Sequence, residues 1–588
     1  MKNIKFISIA IIVFVSASFA QQKFFVNLND RADDLFKVTL IPSNLTDENK
    51  IFQFASTAPG TYQLMDIGRY VRTFKAIDET GNEIASRQIS TNQWEIEEPA
   101  KVKKIYYTIA ETWDTPVDKN MVYAMSGTSL ENDHAVINGQ AVFGYFHGKQ
   151  KDSIYIKLDY PNDWIVGTAL AKNNNGFYAA KDYDEVVDSP IMLGVLTKSS
   201  QKIENTTIDV YSYSKTGKIN ADGLFSILED ILNATSQFTN GLPVDHYTFL
   251  FHFEKMTMGA WEHNFSSFYV FGEADITEQF AQQIKSIAAH EFYHIVTPLN
   301  IHSELVNNFN YEKPVMSQHL WLYEGTTEWA ANILQLRDYI ITLDEFLGEM
   351  KQKLAMNDYY DQSISLVDLS LSSTEKQDQY PNIYQKGAVV ATLLDIRLLE
   401  LSKGTRGYRE VINQLYKDFG VNKSFSEKDF FSEFVKRTYP EIEDFINRYI
   451  KGTDKLPVEE YFAKLGIQYK ENMGVDSSKI SLGFGLGVKD GKIAVTSVTM
   501  PEENGVKTDD IILKANGEEV NLQNAQSRFS YISKLKVGDT VDLTVSRKGE
   551  TKEIKITMQP RKIRHQFKVL ENATEEQLAL RSAWMKNF

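Results

Sequence analysis

Apolar and polar residues alternate with period two through the first third of the chain. Lys37–Ile41, Ile51–Phe54, Val102–Ile109 and Ile154–Leu158 are short apolar or aromatic runs separated by Asn, Asp and Gly. That rhythm predicts antiparallel strands, so residues 21–200 are expected to form an N-terminal β-sandwich-like domain. Within it, Ala58-Pro-Gly-Thr-Tyr62 reads as a turn and nothing more. Near residue 200 the period changes. Gly223–Thr239 predicts a helix, Tyr247–Phe253 and Ser266–Gly272 predict strands, and Ile284–Val296 predicts a second helix. From Gln318 to about Tyr449 the pattern is mostly helical, clearest in Ala388–Leu401 and Phe430–Ile450. Residues 201–455 are therefore expected to form a second, mostly helical domain. After the break at Gly452-Thr-Asp-Lys-Leu-Pro457, residues 456–477 read as a linker and 478–560 as a small β-rich module. Residues 561–588 read as a helical tail, because Thr574-Glu-Glu-Gln577 is a capping box ahead of Leu578–Trp584.

Composition narrows the partners. The chain has 588 residues, too many for one hydrophobic core, and three or four domains are expected. A formal net charge of −15, without a basic block to reverse it locally, argues against a nucleic-acid partner. Cysteine is absent, which excludes a thiol nucleophile, a Cys-ligated metal, a lipid-modified Cys and a disulfide framework. Lys2 and Lys5 precede the apolar run Phe6–Val15 and then Ser18-Phe19-Ala20, the pattern of a secretory signal cleaved after Ala20. The alternative is an N-terminal anchor, for which the run is short. The mature chain carries no other candidate membrane segment, so the expectation is an exported protein, periplasmic or extracellular.

The chemistry concentrates in His290-Glu291-Phe-Tyr-His294. On a helix, His290 and His294 are one turn apart and can present two imidazole nitrogens to one Zn²⁺. Glu291 sits about 100° round the helix, where it can reach a water on the metal without ligating it, as a general base must. A packed pair of helix histidines with a solvated Glu is the plain alternative. A metzincin would carry a third His six residues after His294 and an intervening Gly, but position 297 is Thr and position 300 is Asn. Glu324, in Trp321-Leu-Tyr-Glu324-Gly-Thr-Thr-Glu328, is the better third ligand, giving a His₂Glu site with one open position. Glu304 and Glu312 are rivals in an Asn-rich loop. Glu328, one turn beyond Glu324, could hold the free nitrogen of a ligating His or simply face solvent.

HExxH followed by Trp-Leu-x-Glu-Gly resembles the gluzincin metallopeptidases, and specifically the glycyl aminopeptidase family that carries a PDZ domain. The resemblance extends over most of the mature chain. Gly259-Ala260-Trp261-Glu262-His263 is similar to the Gly-Gly-x-Glu-His form of the exopeptidase motif in that family. It implies that Glu262 pairs with a substrate's α-ammonium while Gly259 and Ala260 offer backbone to an added peptide strand. Tyr384-Gln-Lys-Gly387 resembles the Tyr-x-Lys-Gly segment whose tyrosine donates to the oxyanion of the tetrahedral intermediate. Leu482-Gly-Phe-Gly-Leu-Gly487 and Gly505–Gly517 are similar to the carboxylate loop and a later segment of PDZ domains, with Asp509 where Gly is usual.

Together these imply a multidomain α+β protein with a thermolysin-like catalytic domain at 201–455 and a PDZ domain at 478–560. It would use one Zn²⁺ per chain to remove N-terminal residues, with small ones such as Gly or Ala implied by the family, from peptides with a free N-terminus. A peptide C-terminus could occupy the PDZ loop. The alternatives are a zinc endopeptidase on the same site, or a PDZ-based peptide-binding protein in which zinc is structural.

Overall fold

A computed structural model describes residues 21–254, 258–420, 423–489, 491–498 and 505–586. The signal-like residues 1–20 lie outside the described residues. Period-two alternation in the first third does form sheets. Gln21–Asn27 lies between Leu35–Ile41, antiparallel, and Ser153–Asp159, parallel, within an eight-stranded sheet that also holds Lys104–Ala110. Two four-stranded sheets complete the N-terminal domain around one aromatic-rich core, in which Phe52 meets Phe54, Phe74, Tyr107 and Phe146.

The second domain opens with a five-stranded sheet. Its order is Thr197–Ile203, Thr206–Ser214, His246–Glu254, Ser266–Gly272 and, at the edge, Gly259–Glu262. Thr206–Ser214 and His246–Glu254 are parallel, and the connection between them is the amphipathic helix Ala221–Thr239, as parallel pairing requires. The sheet packs on the HExxH helix, Glu278–Tyr293, through Phe249, Tyr247 and Phe292. That helix starts six positions before the apolar pattern does. Thr277 caps it by accepting from the Phe280 amide, a polar first turn that carries no periodic signal. The long helix Asn382–Leu401 is buried along most of its length, and the run Phe430–Ile450 is two helices, Phe430–Arg437 and Ile442–Tyr449, interrupted near Pro440.

The expected linker 456–477 is instead the helix Val458–Lys464 and the first half of a strand, Ile467–Ser481. That strand pairs with Gln559–Val569, so the expected helical tail also begins as strand. Their partnership joins segments about ninety positions apart, and neither half shows it alone. The ribbon carries a six-stranded module with its own core. In it Asp509 takes a left-handed backbone, φ +71°, the conformation that makes Gly usual at this position. The tail then ends as the capping box predicts: Thr574 caps Glu575–Trp584, and Trp584 is fully buried against Phe346 and Phe462 of the catalytic domain. No helix among the described residues is long and apolar enough to cross a membrane.

Candidate active site

The HExxH helix ends at Tyr293, so His294 is its C-cap residue and remains right-handed, φ −59°. Both imidazoles therefore still share a face. Glu324 comes from a single π-helical turn, Trp321–Gly325, that runs straight into the helix Thr326–Arg337. Such turns frequently mark functional sites. Their convergence is close: Glu324 Oε2 lies 3.4 Å from His290 Nε2 and 3.5 Å from His294 Nε2. Glu304 and Glu312 point elsewhere. The Glu304 carboxylate accepts from the Glu427 amide, and Glu312 lies 3.6 Å from His147.

The other ring nitrogens are committed. His290 Nδ1 donates to Glu328 Oε2 at 2.8 Å, and His294 Nδ1 donates to the Thr297 carbonyl at 2.8 Å. Glu328 also receives the Lys353 ammonium. Burial works against that carboxylate, but Lys353 and His290 outweigh it and hold Glu328 well below the usual range. With Nδ1 so engaged, each histidine turns its Nε2 toward the point that Glu324 faces. Two imidazole nitrogens and a carboxylate, each fixed by an outer partner, are the donor set of a divalent metal. The residues present fit that group.

Around them sit further carboxyls. Glu262 and Glu291 each place a carboxylate oxygen within 4.8 Å of a His294 ring nitrogen and of each other. Burial, then the charges of Glu324 and Glu291, push Glu262 well above the usual carboxyl range. Glu291 is pushed up to about 7, chiefly by burial. So much clustered acidity in a buried site is relieved by a cation, whether a metal or an ammonium.

Glu262 ends the edge strand Gly259–Glu262, which among the described residues pairs only with Ser266–Gly272; Gly259 and Ala260 are half-exposed along it. Tyr384 stands on the long helix with its ring 5.7 Å from that of His290, and its hydroxyl is 2.6 Å from the Tyr380 hydroxyl. Burial, then Glu324 and Tyr380, raise the Tyr384 phenol well above its ordinary value, so it stays a neutral donor. Gly387 explains how this helix comes so near. A Cβ on Gly325 would meet Gly387 Cα at 2.7 Å, so only paired glycines let the π turn and the long helix cross there.

One participant carried no recognisable signal. The Ala58–Tyr62 turn reaches out of the N-terminal domain into the site. The Tyr62 hydroxyl donates to Glu324 Oε1 at 3.0 Å from a left-handed backbone, φ +46°, rare for a bulky residue. Trp261 Nε1 donates to the Pro59 carbonyl at 3.0 Å, and a Cβ on Gly60 would lie 2.4 Å from Glu262 Oε1. The turn therefore rests directly on the Glu262 carboxylate.

Family comparisons agree with this layout. The Peptidase M61 N-terminal domain matches residues 23–195, the M61 glycyl aminopeptidase domain residues 283–390, and a PDZ domain residues 464–558. The chain thus matches, in its N-terminal and catalytic regions and in order, the two domains of the M61 glycyl aminopeptidase family. It is a metallo-aminopeptidase in class, and the catalytic match spans His290, His294, Glu324, Glu328 and Tyr384. Its fold is that of an aminopeptidase N family protein from Idiomarina loihiensis, with a TM-score of 0.79 at 19% identity over 96% of this chain and 100% of that one. Two more distant structures both score 0.45. One is a two-domain M1 zinc metallopeptidase mutant bound to L-tryptophan, 11% identical over 75% of this chain and 95% of that one. The other is Legionella pneumophila aminopeptidase A with aspartic acid, 12% identical over 74% and 49%. No curated protein matches the sequence.

Proposed function

We propose that the protein is an exported zinc aminopeptidase in which His290, His294 and Glu324 hold one Zn²⁺ and Glu262 anchors the substrate's amino terminus. The observation that carries this reading is the convergence of the two Nε2 atoms on Glu324, with the Glu262 carboxylate beside them at the end of an edge strand. A divalent ion held there would polarise the scissile carbonyl and acidify a water.

The chain's own groups do the rest. A peptide's first residues lie along Gly259–Glu262 as an added strand, which exposes its α-ammonium to Glu262. Glu291, balanced near neutrality, takes a proton from the attacking water and returns it to the leaving amine. Tyr384 donates to the oxyanion, charge that exists only as the tetrahedral state forms. Glu328 and the Thr297 carbonyl keep the two imidazoles in the required tautomer. The Ala58–Tyr62 turn covers Glu262 and walls off that end of the cleft, which favours an exopeptidase over an endopeptidase. A preference for small N-terminal residues such as Gly or Ala goes with the family. Export rests on the signal-like first twenty residues, and the mass of the mature protein recovered from cells tests it against cleavage after Ala20. The PDZ loop at Leu482–Gly487 is the place for a peptide C-terminal carboxylate.

Chelation tests the metal assignment. Activity on amino-acid amides should vanish on removal of the metal and return with stoichiometric Zn²⁺, and Glu291→Gln should bind Zn²⁺ without turning over. Turnover that survives chelation, or an active Glu291→Gln, overturns the reading.

A further inference from the structure

Outside the active site, a second set of nitrogen and carboxylate donors meets where the N-terminal domain lies on the catalytic sheet. His134 opens the strand His134–Ile137 of the N-terminal domain. His252 and Glu254 lie two positions apart near the end of His246–Glu254, and so on one face of the catalytic sheet. That face also carries Leu250, and Tyr213 and Tyr211 from the neighbouring strand, which form a separate apolar cluster with Val136 and Met192 of the first domain. The two imidazoles are completely buried in this seam, 0% exposed, and their Nε2 atoms are 3.1 Å apart. Glu254 Oε2 lies 3.9 Å from His252 Nε2, and the three donor atoms all fall within 4.8 Å of one another.

Two nitrogens bound at about 2.0–2.1 Å to one tetrahedral ion stand about 3.3 Å apart. The two seam nitrogens, 3.1 Å apart, come near that spacing, and the Glu254 oxygen, 3.9 Å from His252 Nε2, stands a little farther out than Glu324 does from the catalytic imidazoles, at 3.4 and 3.5 Å. An outer partner is also present. His134 Nδ1 lies 3.0 Å from Asp133 Oδ1, and the Tyr213 hydroxyl donates to Asp133 Oδ2 at 3.0 Å, so the carboxylate fixes the His134 tautomer and leaves Nε2 bare. The rings cannot swing away, since Tyr213 lies on both, at 4.0 and 4.8 Å, and Trp113 edges His252 at 4.8 Å. Burial favours the neutral form of both, the form that ligates. Ser129 Oγ, 3.5 Å from His134 Nε2, is a further oxygen beside them. Lys215 meets the other Glu254 oxygen at 3.3 Å, and the Glu254 side chain is 26% exposed, which gives an entry path on that side.

We infer that His134, His252 and Glu254 form a second, non-catalytic binding site for a divalent transition ion of the Zn²⁺ class, which ties the N-terminal domain to the catalytic sheet. The competing account is a plain His–His hydrogen bond across the same seam.

Full-length protein loaded with Zn²⁺, freed of loose metal and analysed by mass spectrometry for metal per chain separates the two. The expected result is two ions in the wild type and one in Glu254→Gln or His252→Gln. Glu254→Gln, altered at a partly exposed position, guards against misfolding of the buried variant. In a His294→Ala background, Zn²⁺ should still raise Tm, and adding Glu254→Gln should abolish that rise. One ion in the wild type, lost with His294→Ala and untouched by Glu254→Gln, overturns the site. A lone ion that survives His294→Ala but not Glu254→Gln would uphold the seam site while refuting the catalytic assignment, so the two readings fail separately.

Discussion

Two His₂Glu clusters in one chain differ in how they are built. At the HExxH cluster the histidines are four positions apart at the end of one helix, and the carboxylate comes thirty positions later from the π turn Trp321–Gly325. At the seam they are 118 positions apart, on strands of different domains. The surroundings differ as well. Beside His290 and His294 stand a poised carboxyl, Glu291, a neutral phenol, Tyr384, and an edge-strand carboxyl, Glu262. Beside His134 and His252, both fully buried, stand aromatic rings, the Asp133 carboxylate engaged by His134 and Tyr213, and a Lys–carboxylate pair. A donor set can hold a cation in either place. Catalysis needs a base and an oxyanion donor that a substrate can reach, and among the described residues the HExxH cluster offers the candidates for both.

The largest test of that contrast is Glu291→Gln. Loss of the base should lower kcat/KM on an amino-acid amide by about 10³–10⁴-fold, with metal content unchanged, while Glu254→Gln at the seam should leave the rate within about twofold. A seam variant that cuts the rate comparably would erase the distinction. Next in size is Tyr384→Phe, which removes one hydrogen bond to the oxyanion and should cost about 10²–10³-fold, carried in kcat. If KM alone moves, Tyr384 binds substrate instead. Glu262→Gln replaces a charge-assisted contact with a neutral one and should cost about 10–100-fold, read as a loss of discrimination between free and blocked amino termini. The smallest effect belongs to Tyr62→Phe. It frees one oxygen of Glu324 from its hydrogen bond and should speed zinc release to a chelator by about tenfold, with little change in substrate KM. Unaltered release would make Tyr62 a packing residue.

What the sequence reveals follows the same division. HExxH is legible because helix geometry turns a spacing of four into a shared face, and Glu324 is legible through its setting, Trp-Leu-Tyr-Glu-Gly, at the start of a helical stretch. Alternation in the first domain and the capping box at Thr574 are equally local, and both appear in the fold. Contacts made by long-range packing are not legible. Tyr62 is half-buried in an ordinary Pro-Gly turn, and only domain docking brings its hydroxyl to Glu324. The first part of the strand Ile467–Ser481 falls in the expected linker 456–477 because its partner strand lies beyond the whole PDZ module. His134 and His252 look like isolated core histidines until two sheets face each other. The π turn at Trp321–Gly325 is invisible for a further reason: helix periodicity predicts that a helix is present but does not resolve one inserted residue.

The central claim, that this site measures from a peptide's amino end, is tested most directly by one ratio. Wild-type kcat/KM should be determined for glycyl or alanyl amide with a free amino group and for its N-acetylated form, alongside Glu262→Gln. The account expects the acetylated substrate to be at least about 100-fold poorer for the wild type, with that gap collapsing in Glu262→Gln. Equal cleavage of the two substrates by the wild-type protein would contradict it.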